Sequence, residues 1–221
     1  MEDLERAKAL CPAVSRETWQ RIGTYVDLLA QWQKTLNLVS TRTLDEVWTR
    51  HVADSLQLLA LAPGALRWAD LGAGAGLPGL PLALALADVP GAMVDLVESD
   101  QRKAAFLREV VRLTGAPARI HPVRIERWAK AWDEPVEVVT ARALAPLDRL
   151  IPLALPLLQA GALGLFPKGR SVAQELTDAA RSWHITHTLV PSATDSAARI
   201  VVVTAAAPRG PAASDRGGPP S

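Results

Sequence analysis

The amino-acid sequence predicts an α/β protein with a doubly wound, mainly parallel sheet and a helical extension at its N-terminus. Residues 1–60 show helical periodicity and no strand pattern. A short apolar strand, a glycine-rich turn and an apolar helix then follow one another over residues 66–86. Strands and helices alternate from there to residue 204, which is typical of parallel sheets covered by helices on both faces.

The N-terminal extension is expected to contain two main helices. Residues 18–36 place apolar side chains at three- and four-residue steps, which predicts an amphipathic helix. A second helix is expected over residues 44–61, with Arg50 and Asp54 one turn apart on the same face. That pair has a plain alternative interpretation, a solvated salt bridge beside an exposed His51. The break at Pro63-Gly64 separates this extension, residues 1–62, from a sheet domain over residues 63–206.

The sheet domain should hold five parallel strands and an antiparallel edge, because the last two strands have no full helix between them. The expected strands are residues 66–71, 92–98, 119–123, 136–141, 162–166, 184–190 and 199–204. The expected helices between them are residues 80–87, 101–113, 147–158 and 172–181. The tail, residues 207–221, is rich in proline and glycine and is expected to be disordered.

Composition narrows the class of protein. The chain has 221 residues, 49% of them hydrophobic and 21% charged, which is typical of a globular domain. A formal net charge of +1 means that any nucleic-acid surface must be local. Cys11 is the single cysteine, so an internal disulfide and a paired-cysteine metal site are excluded. With neither a signal-peptide pattern nor an uninterrupted apolar span, we expect a cytoplasmic protein without a membrane or metal partner, acting as a monomer.

The glycine turn predicts a nucleotide-type ligand, and two classes fit its spacing. Gly74-x-Gly76-x-x-Gly79 satisfies the dinucleotide pattern, whereas Gly72-x-Gly74-x-Gly76 after Asp70 resembles the first motif of S-adenosylmethionine-dependent methyltransferases. A carboxylate at Asp70 would repel a pyrophosphate but suits a cationic amino-acid group, directly or through water. A turn that binds nothing would not need so many glycines.

Polar residues at other strand ends support an adenosine ligand. Glu98 follows the second strand, about twenty residues beyond the turn, where a carboxylate can accept both ribose hydroxyls. Glu126 follows the third strand beside Ile125, and together they can hold an adenine. Glu98 could instead be a helix N-terminal charge and Glu126 a solvated turn. Arg142 and Lys168 follow the fourth and fifth strands, at the edge where open α/β sheets bind ligands.

Several motifs together resemble the bacterial small-subunit ribosomal RNA guanine-N7 methyltransferases, the family once called glucose-inhibited division protein B. They occur in family order across residues 32–170. The matching segments are Trp32-x-x-x-x-Asn37-Leu38, Arg50-His51-x-x-Asp54-Ser55, Asp70-x-Gly72-x-Gly74-x-Gly76-Leu77-Pro78-Gly79-x-Pro81, Arg102-Lys103-x-x-Phe106-Leu107-Arg108, Ile125-Glu126, Ala141-Arg142-Ala143 and Lys168-Gly169.

The resemblance implies a Rossmann-like class I methyltransferase fold, S-adenosylmethionine as cofactor, and 16S ribosomal RNA or the 30S particle as partner. The family's cofactor contacts fall here on Gly72, Leu77, Ile125, Glu126 and Arg142. Asp70, Gly74, Gly76 and Glu98 complete the expected cofactor site. Candidates for positioning the substrate are Arg142, Arg50, His51 and Lys168, with Arg102, Lys103 and Arg170 as further basic groups. Transfer to guanine N7 implies no general base, because N7 carries a lone pair and no hydrogen.

Other classes of function remain open at this point. A nicotinamide-dependent dehydrogenase would share the glycine turn, although the carboxylate of Asp70 would repel the pyrophosphate of its cofactor. A methyltransferase acting on a protein or a small molecule would have the same sheet domain. A non-catalytic RNA-binding assembly factor could keep the cofactor pocket and transfer nothing.

Overall fold

The computed structural model describes residues 1–40 and 43–210. Seven strands form one sheet in the order β3–β2–β1–β4–β5–β7–β6. The strands are β1 (Arg67–Leu71), β2 (Met93–Val97), β3 (Ala118–His121), β4 (Val138–Thr140), β5 (Leu163–Lys168), β6 (Trp183–Pro191) and β7 (Arg199–Pro208). The α-helices are α1 (Glu2–Leu10), α2 (Arg16–Gln33), α3 (Asp54–Leu56), α4 (Gly79–Ala85), α5 (Gln101–Thr114), α6 (Ile125–Ala131), α7 (Leu147–Gln159) and α8 (Val172–Ala179).

The sheet has the predicted doubly wound, mainly parallel topology. Strands β1 to β5 run parallel, and β7 pairs antiparallel with both β5 and β6. The strand order reverses between β1 and β4, because the chain first adds β2 and β3 on one side and then continues on the other. Such a reversal leaves a crevice outside the carboxyl ends of the two strands, where ligands bind in open α/β sheets.

Two apolar layers cover the sheet, and successive strand residues supply opposite layers. Trp68 of β1 is fully buried in the layer formed with α2, α4 and α5, whereas its neighbour Ala69 points into the layer formed with α6, α7 and α8. Phe106 and Phe166 are fully buried anchors of the first and second layers. Both faces of the inner strands β1, β2 and β4 are therefore shielded from water, which explains why most of their residues are apolar.

The N-terminal extension packs into the first layer. Helix α2 begins at a Ser15 cap, whose side chain accepts the Thr18 N–H at 3.1 Å. Tyr25 and Trp32 on this helix contact Phe106 of α5, with ring centroids 6.4 and 5.7 Å apart. The extension thus shares the core of the sheet domain and covers the sheet beside the crevice.

The prediction of one helix over residues 44–61 is wrong about the type of helix. This stretch is a π-helical segment (Trp48–Ala53), the single turn α3 and a 3-10 segment (Gln57–Leu61). The wider π-helical winding separates Arg50 from Asp54, so the expected pair between them does not form. The Arg50 Nη1 atom lies 3.7 Å from Glu46, and Asp54 faces Arg142 instead.

Smaller differences concern element ends. Strand β7 continues to Pro208, so Ala207 and Pro208, expected in the tail, belong to the sheet. Arg209 and Gly210 follow the strand without helix or strand structure, and the rest of the tail prediction, residues 211–221, lies outside the described residues. Helix α6 begins at Ile125, where no helix is predicted from sequence. Among the described residues, none of the helices has the length and apolar content needed to cross a membrane.

Candidate active site

A cleft of about 620 Å³ opens at the carboxyl edge of β1, β2 and β4, at the reversal of strand order. The N-terminal extension closes one side of it through residues 38–40, Thr43 and His51. Most of the expected cofactor residues line this cleft: Gly72, Gly74, Leu77, Glu98, Ile125, Glu126 and Arg142. Asp70 and Gly76 do not line it, and their contribution is to the shape of the loop.

Hydrogen bonds to β2 and to α2 hold the glycine loop in place. The N–H groups of Gly72 and Ala73 both donate to the Val97 carbonyl, at 2.9 and 3.0 Å. The hydroxyl of Tyr25 donates to the Ala75 carbonyl at 2.9 Å and ties the loop to α2.

Gly76 has φ +85°, and a Cβ built there would lie 2.2 Å from Leu80 Cδ1. Glycine is therefore required at position 76 for both conformation and space.

Asp70 supports the loop from the interior. Its side chain is fully buried, and Oδ2 accepts the N–H of Gly79 at 3.0 Å. The Oδ1 atom has no hydrogen-bond partner among the described residues. Burial raises the pKa of Asp70 to about 7, although the Gly79 N–H opposes the shift. Asp70 thus fixes the start of α4 beneath the cleft, and a direct ligand contact would need this packing to open.

Glu98 joins the two loops at the ends of β1 and β2. Its buried carboxylate accepts the Gly74 N–H through Oε2 at 2.9 Å and the Asp100 N–H through Oε1 at 2.7 Å. Asp100, rather than Glu98, caps α5 by accepting the Arg102 N–H at 2.8 Å. Each carboxylate oxygen of Glu98 can accept a second hydrogen bond, so the expected ribose contact stays a prediction. In this structure Glu98 orders the glycine loop.

Arg142 is the most connected side chain at the cleft. Its Nη2 donates to the Arg50 carbonyl at 2.8 Å and to His51 Nδ1 at 3.0 Å, and its Nε lies 3.3 Å from Asp54 Oδ2. The Nη1 atom is buried without a hydrogen-bond partner among the described residues. Ala143, the next residue, has φ +53°, a strained value for a residue with a Cβ. The network fixes the guanidinium and leaves one nitrogen unsatisfied.

The tautomer of His51 follows from this contact. Arginine has no acceptor, so Nδ1 of His51 must accept, and its Nε2 carries the hydrogen donated to Thr43 Oγ1 at 2.8 Å. Burial, reinforced by the charges of Arg142 and Arg50, lowers the pKa of His51 to about 4. His51 is therefore neutral at physiological pH and buried, which contradicts its interpretation as an exposed histidine.

A groove of about 490 Å³ adjoins the cleft and shares Arg142, Ala143 and Leu144 with it. Arg50, Lys168 and Arg199 bring positive charge to this groove. Lys168 is largely committed to the protein itself, since its Nζ donates to the Ala145 carbonyl at 2.6 Å and lies 2.9 Å from Glu175.

The other basic candidates lie in different places. Lys103 lines the cleft, and Arg102 donates to the Thr35 carbonyl at 2.9 Å, which ties α5 to the extension. Arg170 lines a further cavity that borders the groove at four shared residues: Arg50, Ser192, Thr194 and Asp195.

Comparison with known proteins identifies the family. The family model described as rRNA small subunit methyltransferase G matches residues 18–201. The chain belongs to this family. The protein of that name from Methylobacterium radiotolerans is 54% identical over 208 residues, which cover 94% of this chain and 98% of the relative. The one from Nitrobacter hamburgensis is 54% identical over 199 residues, covering 90% of this chain and 76% of the relative.

Membership of the methyltransferase G family makes this chain an S-adenosylmethionine-dependent methyltransferase. Solved structures agree on the fold. Cofactor-bound Rv0187 from MTB covers 84% of this chain and 89% of its own, at 11% identity and a TM-score of 0.58. The O-methyltransferase TomG from Streptomyces achromogenes, in complex with SAM, covers 82% and 89%, at 15% identity and a TM-score of 0.57.

The residues of the cleft fit S-adenosylmethionine. The unsatisfied Arg142 Nη1 is a donor suited to a carboxylate, and the glycine loop leaves room for close approach by a ligand. The carboxylate of Glu98 has acceptor capacity that would suit ribose hydroxyls, and the apolar side chain of Ile125 would suit an adenine, so both contacts stay predictions.

One part of this site, the surroundings of Asp54, is not predicted from the sequence. Asp54 accepts hydrogen bonds from Thr194 Oγ1 at 2.7 Å and Ser192 Oγ at 3.3 Å, besides its contact with Arg142. Its place in the Arg-His-x-x-Asp-Ser motif was a signal for Asp54. No comparable signal marks Ser192 and Thr194, because they meet Asp54 only through the fold.

Proposed function

We propose that this enzyme methylates N7 of a guanine in 16S ribosomal RNA, and that the groove beside the cofactor cleft receives the RNA. The observation that carries the proposal is the junction at Arg142, where the cofactor cleft and a groove lined by four basic side chains, Arg142 among them, share a wall. Phosphates bind to such local basic groups even when net charge is close to zero.

The proposed reaction needs few chemical groups from the protein. When bound, S-adenosylmethionine supplies a methyl group on a sulfonium, which the lone pair of guanine N7 can attack. The base has no proton to lose at N7, so the protein has only to bind and orient the reactants. His51 agrees with this requirement, because it is neutral, buried and already hydrogen-bonded at both ring nitrogens.

Each residue of the site then has a role in binding or orientation. The glycine loop and Glu98 form the cofactor cradle, and Arg142 offers Nη1 to a carboxylate. Arg50 and Arg199 offer charge to RNA phosphates from the groove. We further propose that residues 1–62 serve as an RNA-facing extension of the catalytic domain over residues 63–206, and that the enzyme acts as a cytoplasmic monomer on the ribosomal particle.

Transfer of labelled methyl from S-adenosylmethionine to small subunits from a strain lacking this protein tests the proposal. We expect label in 7-methylguanosine at one position of 16S RNA after nuclease digestion. Label on protein or on a small molecule would support the other methyltransferase class. Cofactor and RNA binding without transfer would support an assembly factor.

Arg142→Ala gives a second test with the same assay. We expect it to abolish most transfer while the circular dichroism spectrum stays that of the wild type. Asp133→Asn is a control variant, because Asp133 is exposed and lies outside the cleft and the groove. Normal transfer by Arg142→Ala would contradict the assignment of this residue.

A further inference from the structure

Three carboxylates line the groove beside the cofactor cleft, and two of them are committed to ion pairs. Asp54 lies 3.3 Å from Arg142, and Glu175 lies 2.9 Å from Lys168. Asp195, in the connection between β6 and β7, forms no ion pair with a described residue. Its Oδ1 accepts the N–H of Ala197 at 2.9 Å. Asp195 is therefore the groove carboxylate whose acceptor capacity is mostly unused within the described chain.

The loop that carries Asp195 is fixed relative to the cleft. On its N-terminal side, Thr194 donates to Asp54 Oδ1 at 2.7 Å, and the Ala193 N–H donates to Gln57 Oε1 at 2.8 Å. On its C-terminal side, the Ala198 N–H donates to the Asp195 carbonyl at 3.0 Å. Since the other oxygen of Asp54 faces Arg142, the loop and the cofactor arginine are braced by the same carboxylate.

The groove is also the cavity placed to receive the methyl acceptor. It shares Arg142, Ala143 and Leu144 with the cleft, whereas the cavities beside Cys11, His184 and Arg170 share no residue with the cleft. Asp195 lies where the groove meets the cavity beside Arg170 and lines both. Apolar groups suited to the flat faces of a base also line it: Leu144, Pro146, Pro167 and Ile200. A base in this groove would thus contact apolar side chains, next to the cofactor site and within the cavity that Asp195 lines.

We propose that the groove binds the target guanosine and that Asp195 accepts the N1–H and N2–H hydrogens of its base, an inference that rests on the proposed function. Guanine presents these two donors side by side, which matches the two oxygens of a carboxylate. Adenine presents an acceptor at N1 and would be repelled. N7 lies on the opposite side of the ring system, so this contact leaves it free to face the cleft.

Replacement of guanosine by inosine at the modified position tests the contact, because inosine lacks the N2 amino group and keeps N1–H, O6 and N7. We would measure kcat/KM for methyl transfer to small subunits reconstituted with either RNA. The wild type should prefer guanosine by about tenfold to a hundredfold, the usual effect of losing one hydrogen bond to a charged group. Asp195→Asn replaces one acceptor with a donor and should reduce that preference to near unity, mainly by loss of activity on guanosine.

Two further variants make the result decisive. Asp195→Ala removes both acceptors and should lose the preference as well, whereas Asp133→Asn repeats the chemical change on an exposed residue outside the groove and should keep it. Affinity for S-adenosylmethionine should equal that of the wild type in all three, which verifies the fold. A wild type that methylates both RNAs equally, or an Asp195→Asn variant that still prefers guanosine, would overturn the inference while leaving the methyltransferase function intact. Absence of transfer by the wild type to guanosine RNA would overturn both.

Discussion

Arg142 donates an Nη2 hydrogen to Nδ1 of His51 across 3.0 Å, although 91 residues separate them in the sequence. The contact orients the guanidinium of Arg142, which lines both the cleft and the groove. Because His51 is buried and the bond is made to a charged donor, its loss should cost more than that of an ordinary surface hydrogen bond.

His51→Ala should therefore raise the KM for S-adenosylmethionine by about tenfold, since one hydrogen bond to a charged group contributes about 1.5–3 kcal/mol. His51→Asn should recover part of the loss, because its Oδ1 can stand close to the position of Nδ1 and accept from Arg142. Steady-state kinetics on small subunits would measure KM and kcat separately for both variants and the wild type. Equal kinetic constants for His51→Ala and the wild type would refute a positioning role.

The lowered pKa of His51 predicts a pH dependence of stability. Its folded pKa is about 4, against a usual value of 6.5, so the unfolded chain binds more protons between these values. The contribution of neutral His51 is fully present above about pH 6.5 and declines as the pH falls towards 4, by up to about 1.4 kcal/mol per pH unit. Urea unfolding at several pH values would show this decline, and His51→Asn should lack it.

The raised pKa of Asp70 predicts that its contribution to stability changes with pH in the opposite direction. Its folded pKa is about 7, against a usual 3.8, so the folded chain binds more protons in this window. Its contribution to the free energy of unfolding is greatest below about pH 4 and falls as the pH rises through 7. Asp70→Asn cannot titrate and should remove this fall, with Asp133→Asn as a control for a surface carboxylate. An unchanged pH profile in Asp70→Asn would show that the buried carboxyl does not titrate in this range.

Gly79→Ala tests the packing beneath the glycine loop. A Cβ at position 79 would lie 2.3 Å from Leu96 Cδ2 and 2.7 Å from Asp70 Oδ2, so we expect a loss of about 1–3 kcal/mol in the free energy of unfolding. Gly23→Ala, on α2, has nothing within 4 Å and should instead stabilise the protein by about 0.5–1 kcal/mol. Thermal unfolding that moved both variants in the same direction would contradict this account.

Glu98→Gln tests how the two loops are joined. One end of the amide can still accept an N–H, but the other presents hydrogens to a backbone donor, either Gly74 or Asp100. We expect about a tenfold loss of affinity for S-adenosylmethionine, corresponding to about 1.4 kcal/mol, with little change in secondary structure. Isothermal titration of the variant against Asp133→Asn would measure it, and wild-type affinity would exclude the bracing role.

The sequence alone determined the doubly wound sheet and the glycine loop, and it grouped most of the residues that line the cleft. These features depend on residues close together in the chain, such as the glycines after β1 and the carboxylate of Glu98 after β2. Parallel strands bring their carboxyl ends to one edge, so the position of each strand end was enough to group the residues.

Only the tertiary structure decided the winding of residues 48–61, the neutral state of His51 and the contacts of Asp54. The sequence pattern suggested a surface pair of Arg50 and Asp54, because helical spacing describes neighbours on a free helix. In the folded chain, Asp54 lies between Arg142 and Thr194, which are 88 and 140 residues away. Such contacts depend on how distant segments pack and on which charges that packing buries, and local sequence patterns carry neither kind of information.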